Sequence, residues 1–71
     1  MSDRDVERDC TTATFVDSLR RLADALEKNE PFRIQVAGKR FVVPGDAKLS
    51  IEHEAEGVAE ELEFQLKWTQ G

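Results

Sequence analysis

The chain has no tyrosine, and only one cysteine, one histidine and two prolines in 71 residues. A lone thiol, Cys10, forms no disulfide within the chain, and with His53 as the one imidazole no group of residues has zinc-site spacing. Cys10 is read as a structural or incidental thiol. Long apolar runs are missing as well. The opening Met1-Ser2-Asp3-Arg4-Asp5 lacks the apolar stretch of a signal peptide, and no segment approaches the ~20 apolar residues of a membrane span. The expectation is a soluble, cytoplasmic protein with no membrane partner. No Gly-rich phosphate loop is present, because Gly38, Gly45 and Gly57 all fall in turn contexts. Nucleophilic catalysis needs a base held beside a Ser, Thr or Cys, and His53 has no such neighbour in sequence. No enzyme, no catalytic residue and no cofactor is predicted.

Basic charge is scarce too. Ten Lys and Arg, four of them lysines, stand against fifteen Asp and Glu, for a net charge of −5. That balance argues against nucleic-acid backbones and anionic membranes as partners. Few lysines with surplus carboxylates is also how salt-adapted proteins stay soluble, so a halophilic source fits the composition. What remains is an apolar fraction of 39% with four Phe and one Trp, enough for a core and against wholesale disorder. A chain of this length is one domain, burying about 60% of its unfolded surface.

Residues 1–9 form a charged N-terminal segment in which Arg4, Asp5, Glu7, Arg8 and Asp9 surround Val6. This is the character of a short edge strand, whose charges discourage stray pairing. Residues 10–71 make up the domain proper. Phe15, Leu19, Leu22 and Leu26 recur at helical spacing, predicting a helix over 15–28 with Thr11 or Thr12 capping its first turn. Pro31 ends it, because proline disfavours helical geometry in the residue before it.

From there the apolar period changes to two. Phe32, Ile34 and Val36 alternate with Arg33 and Gln35, and Phe41 and Val43 follow after Ala37-Gly38-Lys39. A turn centred on Ala37-Gly38 pairs Ile34 with Phe41 and Phe32 with Val43, whereas one centred on Gly38-Lys39 shifts the pairing by two and keeps the faces. Pro44-Gly45-Asp46 reads as the next turn, with proline at its second position and glycine at its third. The strand after it places Leu49, Ile51 and His53 on one face, with Lys48, Ser50, Glu52 and Glu54 on the other. The last strand is the cleanest: Leu62, Phe64, Leu66 and Trp68 alternate with Glu63, Gln65 and Lys67. A turn centred near Glu56-Gly57 pairs Ile51 with Leu62 and Leu49 with Phe64, so apolar meets apolar along the ladder. The predicted fold is α+β: a short N-terminal strand, one amphipathic helix and a four-stranded antiparallel meander with the helix on one face. Its core would comprise Leu19, Leu22, Leu26, Phe32, Ile34, Phe41, Leu49, Ile51, Leu62, Phe64, Leu66 and Trp68.

The run Leu19-Arg20-Arg21-Leu22-Ala23-Asp24-Ala25-Leu26-Glu27, then a hairpin, Pro44, and Glu61-Leu62-Glu63-Phe64-Gln65-Leu66-Lys67-Trp68 together resemble the amphi-Trp domain family. These are small prokaryotic proteins named for an amphipathic strand ending in tryptophan. The resemblance covers about residues 10–68, and the N-terminal segment here is more charged than the family's usual apolar start. It implies the α+β fold and no assigned activity or cofactor.

The polar face holds the candidate ligand groups. Glu52, Glu54, Glu61 and Glu63 point outward, with Glu52 facing Glu61 in the predicted register, and such like-charge pairs cost up to about 1 kcal/mol each. Divalent cations or high salt would relieve that repulsion, although no calcium-loop pattern accompanies the residues and a solvated acidic face explains them as well. Arg33, Arg40, Lys48 and Lys67 supply the basic side of the same face, a weak nucleic-acid candidate without an exposed aromatic to stack on a base. His53 is placed opposite Glu60 as a structural edge histidine. The leading expectation is a non-enzymatic domain that binds a protein partner or a second copy of itself, because one helix leaves sheet edges and rims uncovered.

Overall fold

The computed structural model describes residues 9–70. In chain order it contains helix α1 (Thr12–Glu27) and strands β1 (Phe32–Val36), β2 (Lys39–Val43), β3 (Lys48–Glu56) and β4 (Ala59–Lys67). The expected N-terminal strand lies outside the described residues, apart from Asp9, which is not in regular structure.

Helix α1 starts and stops by side-chain and backbone capping. Thr11 is extended (φ −71°, ψ 159°) and its hydroxyl accepts the Thr14 N–H at 3.2 Å, satisfying a donor that has no partner in the first turn. At the other end the Asn29 N–H donates to the Leu26 carbonyl and the Glu30 N–H reaches back to the Ala25 carbonyl at 2.9 Å. With Asn29 at φ +55° this is a Schellman ending, and asparagine tolerates the left-handed conformation better than most residues. The helix therefore stops by a built turn two residues before Pro31.

Strands β1 and β2 pair antiparallel with Phe32 opposite Val43 and Ile34 opposite Phe41. Of the two registers open to the sequence, the turn centred on Ala37-Gly38 is the one formed. Both central residues have positive φ (+49° and +82°), the pattern of a type I′ turn whose twist matches the strands. Alanine in that position carries a steric cost of about 1–2 kcal/mol.

Strands β3 and β4 also pair antiparallel, but two residues out of the expected register: Ile51 faces Phe64, Leu49 faces Leu66 and Glu52 faces Glu63. The connecting pair is Gly57-Val58, not Glu56-Gly57. Turn chemistry explains the correction. A two-residue hairpin turn needs positive φ at its first central position, and Gly57 supplies it at +60° where Glu56 would be strained. A shift of two preserves the faces.

The larger difference is in topology. Among the described residues the strands form two separate two-stranded sheets, β1–β2 and β3–β4, rather than the single meander expected. The link between them is a tight turn. The Ala47 N–H donates to the Pro44 carbonyl at 3.1 Å, so Pro44 is the first residue of the turn and Gly45-Asp46 its centre. Gly45 has no need of positive φ there. Its hydrogen faces the helix ending, and a Cβ would sit 3.1 Å from the Asn29 carbonyl oxygen. Proline also brings no N–H to extend a ladder from β2 to β3.

Helix α1 packs on β1. Phe32 and Val43 are the buried hydrophobic residues among those described, at 7% and 5% exposure. Leu22, Ala25 and Leu26 from the helix and Ile34, Val36 and Phe41 from the first hairpin are half-buried. Arg21 clamps the layer from the side: its Nη2 donates to the Arg33 carbonyl at 2.6 Å and its guanidinium lies 5.5 Å from the Phe32 ring centre. The predicted core is thus corrected. Phe32, Leu22, Leu26, Ile34, Phe41 and Leu66 are covered wholly or in part, while Leu19, Leu49, Ile51, Leu62, Phe64 and Trp68 are exposed. The reason is placement: among the described residues the helix stripe reaches the first hairpin and leaves the second without a lid.

Candidate functional site: the two faces of the second hairpin

The alternation of β3 and β4 gives their hairpin an apolar and a polar face. On the apolar face Leu49, Ile51, Leu62 and Phe64 remain 54%, 65%, 67% and 60% exposed. Trp68, the next residue of the same parity after β4, is 38% exposed. Side chains of that size left in water on one face are far from the scattered exposure ordinary to soluble surfaces. At the end nearer the turn the face becomes polar, where His53 Nε2 and Glu60 Oε1 meet at 2.9 Å. The contact matches the sequence expectation, although His53 stands opposite Leu62 in the ladder and reaches Glu60 diagonally.

The polar face is the better covered one. Ser50, Glu52, Glu63 and Gln65 are half-buried against one another. Gln65 organises them: its Nε2 donates to Glu52 Oε2 at 3.0 Å and to Glu63 Oε2 at 2.8 Å, and its Oε1 lies 3.4 Å from the Ser50 hydroxyl, which donates to it. A neutral amide with two N–H donors is well suited to hold two carboxylates that face each other across a ladder. Glu54, opposite Glu61, completes the row, and Glu54, Glu61 and Glu63 have carboxylate oxygens within 4.8 Å of one another. The four predicted metal candidates are thereby divided: three come together, and Glu52 belongs to Gln65. Toward the turn the row opens into a shallow depression of about 340 Å³ lined by Glu54, Ala55, Glu56, Ala59 and Glu61.

The basic candidates divide as well. Arg33 and Arg40 share the outer face of β1–β2, while Lys48 and Lys67 face each other across β3–β4. They occupy two ladders instead of one stripe. Cys10 is exposed in the segment before α1. No helix among the described residues is long and apolar enough to cross a membrane.

Three contacts are not legible in the sequence. Gln65 was hidden by the two-residue register error, which set it opposite Lys48 instead of Ser50. Arg21 reads as surface charge on a helical wheel, and its partner carbonyl depends on tertiary packing. Gly45 reads as a turn residue, whereas its role is close approach to Asn29.

The fold and these faces define a small α+β domain with one covered hairpin and one uncovered one. No protein-family model matches the chain, and no curated protein or solved structure matches it either.

Proposed function

We propose that this chain is a non-enzymatic protein-interaction domain of the amphi-Trp kind, with the apolar face of β3–β4 as its contact surface. The observation that carries the reading is the exposure of Leu49, Ile51, Leu62 and Phe64 together on one face. Contiguous apolar surface on this scale marks interaction sites on soluble proteins. Size points the same way. With two hydrophobic side chains buried among the described residues and one cysteine in the chain, the domain has little core and no internal disulfide, and small domains make up such a deficit by association. The amphi-Trp resemblance of residues 10–68 adds the fold expectation and no chemistry.

A second arrangement would cover the same side chains within one chain: the four-stranded meander under α1 that the sequence pattern predicts. It requires the joint at Pro44–Ala47 to bring the second hairpin beneath Phe15, Val16 and Leu19, which are exposed on the helix. Analytical sedimentation from low micromolar to millimolar concentration separates the two. An interaction domain gains mass with concentration or on adding its partner. A chain that stays strictly monomeric and loses the exposed face to its own helix removes the proposal.

A weaker reading, favoured by the 4.8 Å grouping of Glu54, Glu61 and Glu63, is divalent-cation binding on the polar face. Calcium or magnesium would then raise the melting temperature more than sodium chloride of matched ionic strength. Equal effects mean screening alone.

A further inference from the structure

We propose that the occupant of the β3–β4 apolar face is the same face of a second copy, packed hairpin on hairpin about a two-fold axis. The inference rests on the reading of this face as an interaction surface and adds its partner and its geometry. Three observations carry it: the area of the face, the position of the charge, and the self-sufficiency of its polar end.

Area comes first. Nine residues per strand make a hairpin face about 30 Å long and two strands wide. Leu49, Ile51, Leu62 and Phe64, each more than half exposed, leave on the order of 400–500 Å² of apolar surface there. Two such faces with the flanking Trp68 and Leu66 bury on the order of 1,000 Å², the lower bound of a specific interface. An interface at that lower bound is of the weak or transient kind.

Charge selects face-to-face packing over the edge pairing that an open hairpin also allows. Glu52, Glu54, Glu56, Glu61 and Glu63 all project from the opposite face. Joining edges would set two such rows side by side at strand spacing, about 5 Å apart, where like charges repel. Stacking the apolar faces at about 10 Å between sheets turns both acidic rows outward, roughly 20 Å apart and beyond the ~8 Å screening length of physiological salt. A chain of net charge −5 can therefore meet its own copy through this face without opposing carboxylate rows.

The polar end asks nothing of a partner. His53 and Glu60 bond each other at 2.9 Å at the turn end of the face, so the polar groups there are already paired within one copy. An isologous contact places Ile51 and Phe64 near the axis, where each copy supplies what the other needs.

The test uses the full chain. A sample mixing ¹³C-labelled and unlabelled copies is examined by isotope-filtered NOE spectroscopy near 1 mM, with sedimentation of wild type and variants in parallel. The expected result is NOEs from the Ile51 and Leu62 methyls of labelled chains to the Phe64 ring of unlabelled ones. Ile51→Lys and Phe64→Lys should weaken dimerisation at least ~100-fold, while Leu19→Lys on the helix leaves it unchanged. Amide dispersion of each variant checks that it is folded, and the NOE experiment needs no substitution. If wild type dimerises but Leu19→Lys alone disrupts it, the partner surface is the helix: this inference falls and self-association stands. If wild type is monomeric and the Ile51 methyls contact Phe15 or Leu19 of their own chain, the face closes internally and both readings fall.

Discussion

In the first hairpin Phe32 and Val43 face each other across the ladder and are buried; in the second Ile51 and Phe64 hold the same relation and stand in water. The two hairpins share antiparallel pairing, tight two-residue turns and an apolar inner face set by alternation, so pairing alone does not account for the contrast. The difference is the cover. Helix α1 lies on β1, fixed by the half-buried Leu22 and Leu26 and by the Arg21 clamp on the Arg33 carbonyl. Among the described residues no comparable layer lies on β3–β4. Alternation thus specifies which side chains share a face, and a separate, long-range event decides whether that face is buried or exposed.

Five substitutions would break or sharpen the contrast. The largest effect is expected at its centre: Phe32→Ala should cost about 3–5 kcal/mol at every protein concentration. Phe64→Ala should cost less than about 1 kcal/mol in dilute solution and progressively more as concentration rises. Urea titrations of both variants at two concentrations provide the check, and a large loss for Phe64→Ala under dilute conditions would mean that its ring is already covered. Next comes the joint. Gly45→Ala should destabilise by about 1–3 kcal/mol, because the new methyl would press on the Asn29 carbonyl at 3.1 Å. Thermal melts read it directly, and a neutral result would show that the helix ending yields. Thr11→Ala should cost about 1 kcal/mol by removing the cap on the Thr14 N–H, with a small loss of total helix signal by circular dichroism. The smallest change has the opposite sign. Ala37→Gly should stabilise by about 0.5 kcal/mol, since relief of a left-handed alanine slightly outweighs the added freedom of the unfolded chain.

Legibility in the sequence follows the same local and long-range division. The helix, its threonine cap, both hairpins and the inward set of each strand follow from period and turn residues, which act over a few positions. The β3–β4 register follows too, once the demand for positive φ is placed on the first central residue, which Gly57 meets and Glu56 would not; the β1–β2 register does not, because there Ala37 takes the first position and Gly38 the second. What sequence could not supply was the partner of each face. Leu19 and Leu26 belong to one helical stripe, yet Leu26 is half-buried and Leu19 is 42% exposed, because only part of the stripe meets β1. The polar face shows the same limit. The glutamates were visible as a crowded row, and His53 beside Glu60 was foreseen, but the amide of Gln65 spanning Glu52 and Glu63 depends on a register that had to be right to the residue.

The close approach of Gly45 to the helix ending has a mechanical consequence. All of β3 and β4 lies beyond that joint, on an arm about 30 Å long. Gly45 is its fulcrum. A rotation of about 20° at this point would sweep the Gly57-Val58 tip through about 10 Å, by simple leverage on the strand rise. The gap that a single hydrogen occupies beside Asn29 is thus the point where the few tenths of an ångström that a methyl group would demand are multiplied along the arm carrying the entire apolar face.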